Sequence, residues 1–257
     1  MQIIHDFIRG DFIMSYTAQY QKAVFDVLNS VFTTEAEKID RAGAALCSSF
    51  QKGGLLYVFG CGHSHMISEE LFYRAGGLAA VYPIFETSTM LHEGAAKSSR
   101  IERMSGYAEL VMERYPIGEN DCFLVVSTSG INSFTIEMAQ AAKRRGAYMI
   151  GISSGAYLSK PSRQKDGLHL PDVCDLAIDN HVPAGDAIVQ VCADGTKAGP
   201  VSSIASMAIA NSVVLSACEK LSESGAEPVV YHSGNCEGGD KLNEAIIAEY
   251  QKRIRCL

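Results

Sequence analysis

CFLVVSTSGINSFTIEMAQAAKRRG, residues 122–146, decides the fold. The apolar run Phe123 to Val126 has the length of a buried strand and ends in Ser127-Thr128-Ser129-Gly130. A helical pattern starts at once, around Asn132. A strand that passes through a hydroxyl-rich turn into a helix leaves backbone N–H groups unpaired at the positive end of the helix dipole. With three hydroxyls beside them, these groups form an anion site best suited to a phosphate.

The same strand-then-helix unit recurs on both sides. Leu55 to Phe59, Ala79 to Phe85 (interrupted by Pro83), Tyr148 to Ile152 and Cys174 to Ile178 read as further strands. Helices are expected over 16–52 in two pieces, 65–74, 101–114, 133–145, 201–221 and 240–253. Residues 153–172 and 183–200 read as loops, long enough to be functional. Short apolar strands alternating with helices imply an α/β fold: a three-layer α-β-α sandwich around a five-stranded parallel sheet, with extra N- and C-terminal helices. Ligands of such sheets bind beyond the strand C-termini. The glycine turn Gly60-Cys61-Gly62-His63-Ser64 and the serine turn Ser127–Gly130 both belong there and can converge. Residues 1–13 read as an N-terminal appendage, with Met14 an alternative start, and 14–257 as one domain.

Composition narrows the function. A 257-residue chain with 47% hydrophobic and 20% charged residues is long enough for a substantial core. Its net charge of −7, without a basic stretch, argues against nucleic acid and anionic membranes, so any phosphate site must be local. Eight cysteines without a C-x-x-C pair, several in apolar runs, indicate reduced core thiols and a cytoplasmic protein. The first residues lack a basic n-region and an apolar h-region. The uncharged run Val201 to Cys218 carries five serines and an asparagine and reads as a buried helix.

The two turns resemble those of the SIS (sugar isomerase) family of phosphosugar-binding domains, which carry G-x-G-x-S after the first strand and S-x-S-G after a later one. AKRRGAYMIGIS (142–153) is similar to the family's next helix and strand, and Gly199-Pro200-Val201-Ser202-Ser203 to its late P-T-S-S helix start, with Val201 in place of threonine. The resemblance covers about residues 16–257. FGCGHSH, MLHEGAAKSS and SGNCEGGD are similar to the branch labelled as phosphoheptose isomerase-like. It implies a phosphorylated-sugar ligand, a homodimer or homotetramer with the site at a subunit interface, and phosphate contacts from Ser64, Ser127, Thr128, Ser129 and Ser133. Gly60, Gly62, His63, Gly130, Asn132, Ser202 and Ser203 complete the substrate loops. A dinucleotide fingerprint is the competing reading of Gly60 and Gly62, with Glu86 as ribose acid. His65 occupies its third glycine position.

Aldose–ketose isomerisation needs a base to move a proton between C1 and C2 and a second group to manage oxygen protons. Candidates are Glu93, Glu69, His65, His92 and His181. His65 and Glu69, four residues apart, share a helix face. Phosphoheptose isomerases have a similar H-x-x-x-E pair that serves catalysis and zinc. The etherase branch has an E-G-A segment similar to Glu93-Gly94-Ala95. No cofactor is expected. Cys61, His63 and His65 alternate within one turn and do not make a tetrahedral site; His65, Glu69 and His181 form the alternative zinc set. An etherase-like lyase acting on an amino-sugar phosphate and a non-catalytic phosphosugar sensor are the other readings of the same site.

Overall fold

Five apolar segments pair side by side in a computed structural model that describes residues 14–257; the expected appendage, 1–13, lies outside the described residues. Strands β1 (Leu56–Gly60), β2 (Val81–Pro83), β3 (Cys122–Val126), β4 (Tyr148–Ser153) and β5 (Leu176–Asp179) form one parallel sheet in the order β2-β1-β3-β4-β5. Because side chains alternate along a strand, the sheet feeds two cores. Tyr57, Phe59, Phe123, Val125 and Met149 face one way, onto α5 (Ala108–Met112), α6 (Ser133–Arg144) and α7 (Leu170–Val173). Leu56, Val58, Leu124, Val126, Ile150 and Ile152 face the other. There they meet α2 (Ala36–Gln51), α3 (Met66–Leu71) and α8 (Ser202–Glu223). Helix α1 (Tyr16–Thr34) lies outside, with Val24 and Val27 on a small cluster of Val182, Val201 and Ala205, and α9 (Gly239–Tyr250) follows near the C-terminus.

The architecture matches the expected three layers, and the departures have local causes. Of the helix expected over 101–114 only α5 forms, while α4 (Ala95–Ile101) is a separate helix before it, and Gly106 stands at φ +85° in the connection. The interval 183–200 is not a plain loop. It holds an antiparallel hairpin of β6 (Ala187–Gln190) and β7 (Lys197–Pro200). The second strand is three residues long and lies at the sheet edge, where Pro83 costs no ladder bond: the Ile84 N–H still donates to the Val58 carbonyl at 2.8 Å. Helix α8 is long and apolar enough to cross a membrane by composition. Ala205, Ile209, Ala210, Val213, Val214, Ala217 and Leu221 along it are buried within the fold.

The strand order places the topological switch point between β1 and β3, since the chain leaves β1 toward β2 on one side and returns as β3 on the other. The crossover helices then diverge, and a crevice opens above the carboxyl ends of these two strands. Gly60 pairs with Val126 there, so the two turns read from the sequence start side by side.

Candidate functional site

The β3 turn is built to expose its backbone. Ser127 is buried, donates its N–H to the Ile152 carbonyl at 3.0 Å, and accepts the Gly130 N–H on its hydroxyl at 3.2 Å. The N–H groups of Thr128 and Ser129 find no acceptor among the described residues. Asn132, the N-cap of α6, sets the helix axis on this turn. On the β1 side the chain enters a 3₁₀ turn, Gly62–His65, closed by the Ser64 N–H on the Cys61 carbonyl at 2.9 Å.

The five expected phosphate-binding hydroxyls differ in freedom. Ser133 donates to the Arg163 carbonyl at 2.8 Å, and Thr128 Oγ1 accepts from the Asn180 amide at 3.3 Å. Ser64 and Ser129 are half-buried, and among the described residues their hydroxyls have no protein partner. Ser127 and Thr128 only accept in their bonds, so among the described residues each keeps its O–H to donate to a ligand, and Ser133 alone of the five has its O–H committed.

The acid–base candidates separate into two places. His65 is buried, its Nδ1 bonded to the Gly62 carbonyl and its Nε2 3.3 Å from Glu69 Oε1. The His92 ring centroid lies 6.1 Å from that of His65. Glu93 follows in the 3₁₀ turn Leu91–Glu93, exposed, its carboxylate without a partner among the described residues. Thus His65, Glu69, His92 and Glu93 gather beside the β1 turn, with exposed His63. His181 does not join them. Its Nε2 bonds Thr34 Oγ1 at 2.8 Å and lies 3.4 Å from Glu35 Oε1, so it ties β5 to the α1–α2 junction.

That placement dissolves the zinc set His65, Glu69 and His181. No group of three or more His, Cys, Asp or Glu side chains among the described residues is arranged to hold a metal. The Cys61 thiol is buried, and burial, reinforced by the nearby Glu102, pushes it well above the usual value. Ser202 is also committed. Its N–H and hydroxyl, with the Val201 N–H, bind the Asp186 carboxylate at 2.7–3.0 Å, so the α8 N-terminus already holds an internal anion. Ser203 is half-buried in the first turn of α8. Glu86 accepts the Tyr107 and Ser88 hydroxyls at 2.9 and 2.6 Å, which occupies the acid that a dinucleotide ribose would need.

Two residues at this crevice were not anticipated. Arg163 reaches the serine turn from the long loop: its N–H donates to Ile131 at 2.8 Å and its guanidinium to Asn132 Oδ1 at 2.6 Å. Glu102 follows α4, its carbonyl accepting the Phe134 N–H in the first turn of α6 at 3.1 Å. Burial pushes its carboxyl up against the opposing pull of the Asn132 amide, Arg103 and Arg163. The KPSRQK run, 160–165, was the available signal for Arg163. Nothing in sequence marks Glu102 within an expected helix. An open groove of about 910 Å³ lies elsewhere, between α5, α6 and residues 164–173, and includes no residue of either turn.

The SIS domain profile matches residues 19–154, both turns included. The chain belongs to the SIS domain family. This SIS protein is 44% identical over 240 residues to the UPF0309 protein of Geobacillus thermodenitrificans, covering 93% of this chain and 96% of the relative. The UPF0309 protein of Halalkalibacterium halodurans is 39% identical over 239 residues, with 93% and 96% covered. Three solved structures share the fold at low identity. One is Vibrio vulnificus NanR complexed with ManNAc-6P (TM-score 0.53, 15% identity, 96% of this chain and 74% of that one). Another is the phosphoheptose isomerase of Neisseria gonorrhoeae (TM-score 0.50, 13% identity, 77% and 94% covered). The third is a phosphosugar isomerase candidate from Silicibacter pomeroyi (TM-score 0.52, 13% identity, 93% of this chain covered), of whose length the SIS protein spans 57%.

Proposed function

We propose that this SIS protein binds a phosphorylated sugar at the β1–β3 crevice and interconverts its aldose and ketose forms. One observation carries the reading: two family turns start side by side at Gly60 and Val126, and each offers a half-buried hydroxyl, Ser64 and Ser129, with no protein partner among the described residues. The N–H groups of Thr128 and Ser129 and the α6 dipole take the phosphate, and Arg163 supplies the local cation in a chain of net charge −7. Fixing the phosphate spends a remote group's binding energy on orienting C1 and C2. The grouping of His65, Glu69, His92 and Glu93 provides histidine and carboxylate side chains for proton transfer. The fold shared with a phosphoheptose isomerase and with NanR bound to ManNAc-6P supports the ligand class.

A second copy completes the working protein as a homodimer or homotetramer, and the unpaired state of all eight cysteines suits a reducing, cytoplasmic setting. The test is a thermal-shift screen against aldose and ketose phosphates and amino-sugar phosphates, followed by turnover assays on those that stabilise. Isomerisation conserves substrate mass. An etherase-like elimination at Glu93 splits the substrate, and a sensor shifts its melting without turnover. If no sugar phosphate raises the melting temperature, the reading fails.

A further inference from the structure

A buried polar knot is bonded to the serine turn, in a layer of the fold where packing alone calls for apolar side chains. Asn180, the residue after β5, is fully buried, and Ser153, Ser154 and Ser206 are buried around it. An amide side chain in such a place costs stability unless its oxygen and both N–H groups are paired. All three are paired here. Oδ1 of Asn180 accepts the Val182 N–H at 3.2 Å. A backbone N–H can only donate, so this bond fixes which end of the amide is oxygen. The Nδ2 hydrogens then go to Ser206 Oγ on α8 and to Thr128 Oγ1 on the turn, each at 3.3 Å. The main chain is held as well. The Asn180 N–H donates to the Ser153 carbonyl at 3.0 Å and the Ser154 N–H to the Thr128 carbonyl at 2.9 Å, while the Ser154 hydroxyl donates to the Val182 carbonyl. Thr128 is the one member of this knot that is not buried.

We propose that Asn180 is a positioning residue that makes the Thr128 hydroxyl a hydrogen-bond donor to the phosphate of the ligand. The proposal rests on the phosphosugar reading above. A hydroxyl has one proton and two lone pairs. Asn180 donates to one of the Thr128 lone pairs, so the Thr128 proton points away from the knot, and it has no acceptor among the described residues. A ligand oxygen that only accepts completes the arrangement, and a phosphate monoester dianion carries three such oxygens. Bonds in a chain polarise one another, so the bond behind Thr128 strengthens the one in front of it. Without Asn180 the hydroxyl is free to turn its proton inward and to present a lone pair to the phosphate instead. Asn180 has no exposed surface and acts only through Thr128.

The experiment is a double-mutant cycle read as phosphate affinity. The probe is inorganic phosphate, and the cycle is repeated with any sugar phosphate that raises the melting temperature in the screen above. Thr128→Val removes the hydroxyl and is expected to weaken binding about 10-fold, as loss of a bond to a charged group does. Thr128→Ser keeps the hydroxyl and binds as wild type does. Asn180→Ala weakens binding about 5-fold on its own and no further in the Thr128→Val background. A purely structural role weakens binding equally in both backgrounds, and that result overturns the proposal. Ser206→Ala removes the other acceptor of Asn180. It is expected to lower the melting temperature and to leave affinity within about 2-fold; a loss as large as that of Asn180→Ala overturns the proposal, because general loosening then suffices. Where turnover is measured, Asn180→Ala raises KM and leaves kcat nearly unchanged. If Asn180→Ala does not fold, NMR of the wild type decides: the Asn180 side-chain amide signals move on saturation with phosphate, and stationary signals overturn the proposal. A wild type that binds phosphate with an additive cycle removes the role of Asn180 alone. A wild type that binds neither inorganic phosphate nor a sugar phosphate removes the phosphosugar reading with it.

Discussion

At the residue scale, the two glycines of the β1 turn serve different physical ends. A Cβ on Gly60 would lie 2.5 Å from the Ser64 carbonyl oxygen and 2.6 Å from its carbon, a backbone collision that only opening the 3₁₀ turn relieves. Gly62 stands at φ +57°, where an added Cβ meets only Leu91 Cδ2 at 3.9 Å, so its constraint is conformational. An alanine in the left-handed region costs about 1 kcal/mol. Gly62→Ala is therefore expected to lower stability by that amount and keep the sugar-phosphate thermal shift. Gly60→Ala should lose the shift, because Ser64 moves. Melting curves with and without a stabilising sugar phosphate decide it, and an unchanged shift in Gly60→Ala would sink the steric account. The G-x-G spacing was legible in sequence, while the division of labour between its glycines needed coordinates.

At the element scale, the α1–α2 junction is fastened to the end of β5 by a buried carboxylate. Glu35 accepts Lys38 Nζ at 2.8 Å and the Asp179 N–H at 3.1 Å, with His181 at 3.4 Å. Burial pushes its carboxyl up, but Lys38, the Asp179 N–H and His181 outweigh that and hold it below the usual 4.5. A carboxylate with a lowered folded pKa contributes stability above its unfolded pKa and loses it as pH falls through the folded value. Glu35→Gln should thus destabilise by about 2 kcal/mol at neutral pH and converge on wild type in acid, measured by urea unfolding at both ends. A constant difference across that range would exclude the charge. This fastening also explains why His181 stands apart from the other acid–base candidates: its chain position is near a strand end, but its partner Thr34 comes from 147 residues away. Strand and helix order was legible because each element carries its own apolar period. The β6–β7 hairpin was missed although Asp194-Gly195 is a hairpin signal; Gly195 takes φ +90°, and Asp194 Oδ1 accepts the Thr196 N–H at 2.9 Å. The break before α5 is masked in sequence by Glu102, Arg103 and Met104, which are good helix formers; its one signal is Gly106, a poor one, which takes φ +85° and donates its N–H to Glu137 at 2.7 Å.

At the scale of the whole molecule, α1 and α8 leave apolar surface that their own chain does not cover. Single exposed apolar residues are ordinary in soluble folds. Here Phe32 and Leu215, 49% and 67% exposed, stand in one open groove between α1, α2 and α8 whose polar lining is Asp40, Ser212, Ser216 and Glu219. Phe25, 56% exposed, continues the stripe one helical repeat earlier on α1. Large apolar side chains exposed together beside a polar rim suit an association surface, and a two-fold contact is the simplest way for one patch to cover itself. Its residues were visible in the sequence as an apolar helix pattern, but their exposure was not, because periodicity does not say which side a neighbour takes. The protein is expected to sediment above its 27.7 kDa chain mass. Phe32→Glu with Leu215→Glu should return it to that mass, since placing two like charges on each copy of a self-complementary face desolvates four of them at once. Both positions are outside the β1–β3 crevice, so the monomeric variant also shows whether the sugar-phosphate shift needs the second subunit. A wild-type protein that sediments at the chain mass, or a double variant that stays assembled, would place the contact elsewhere.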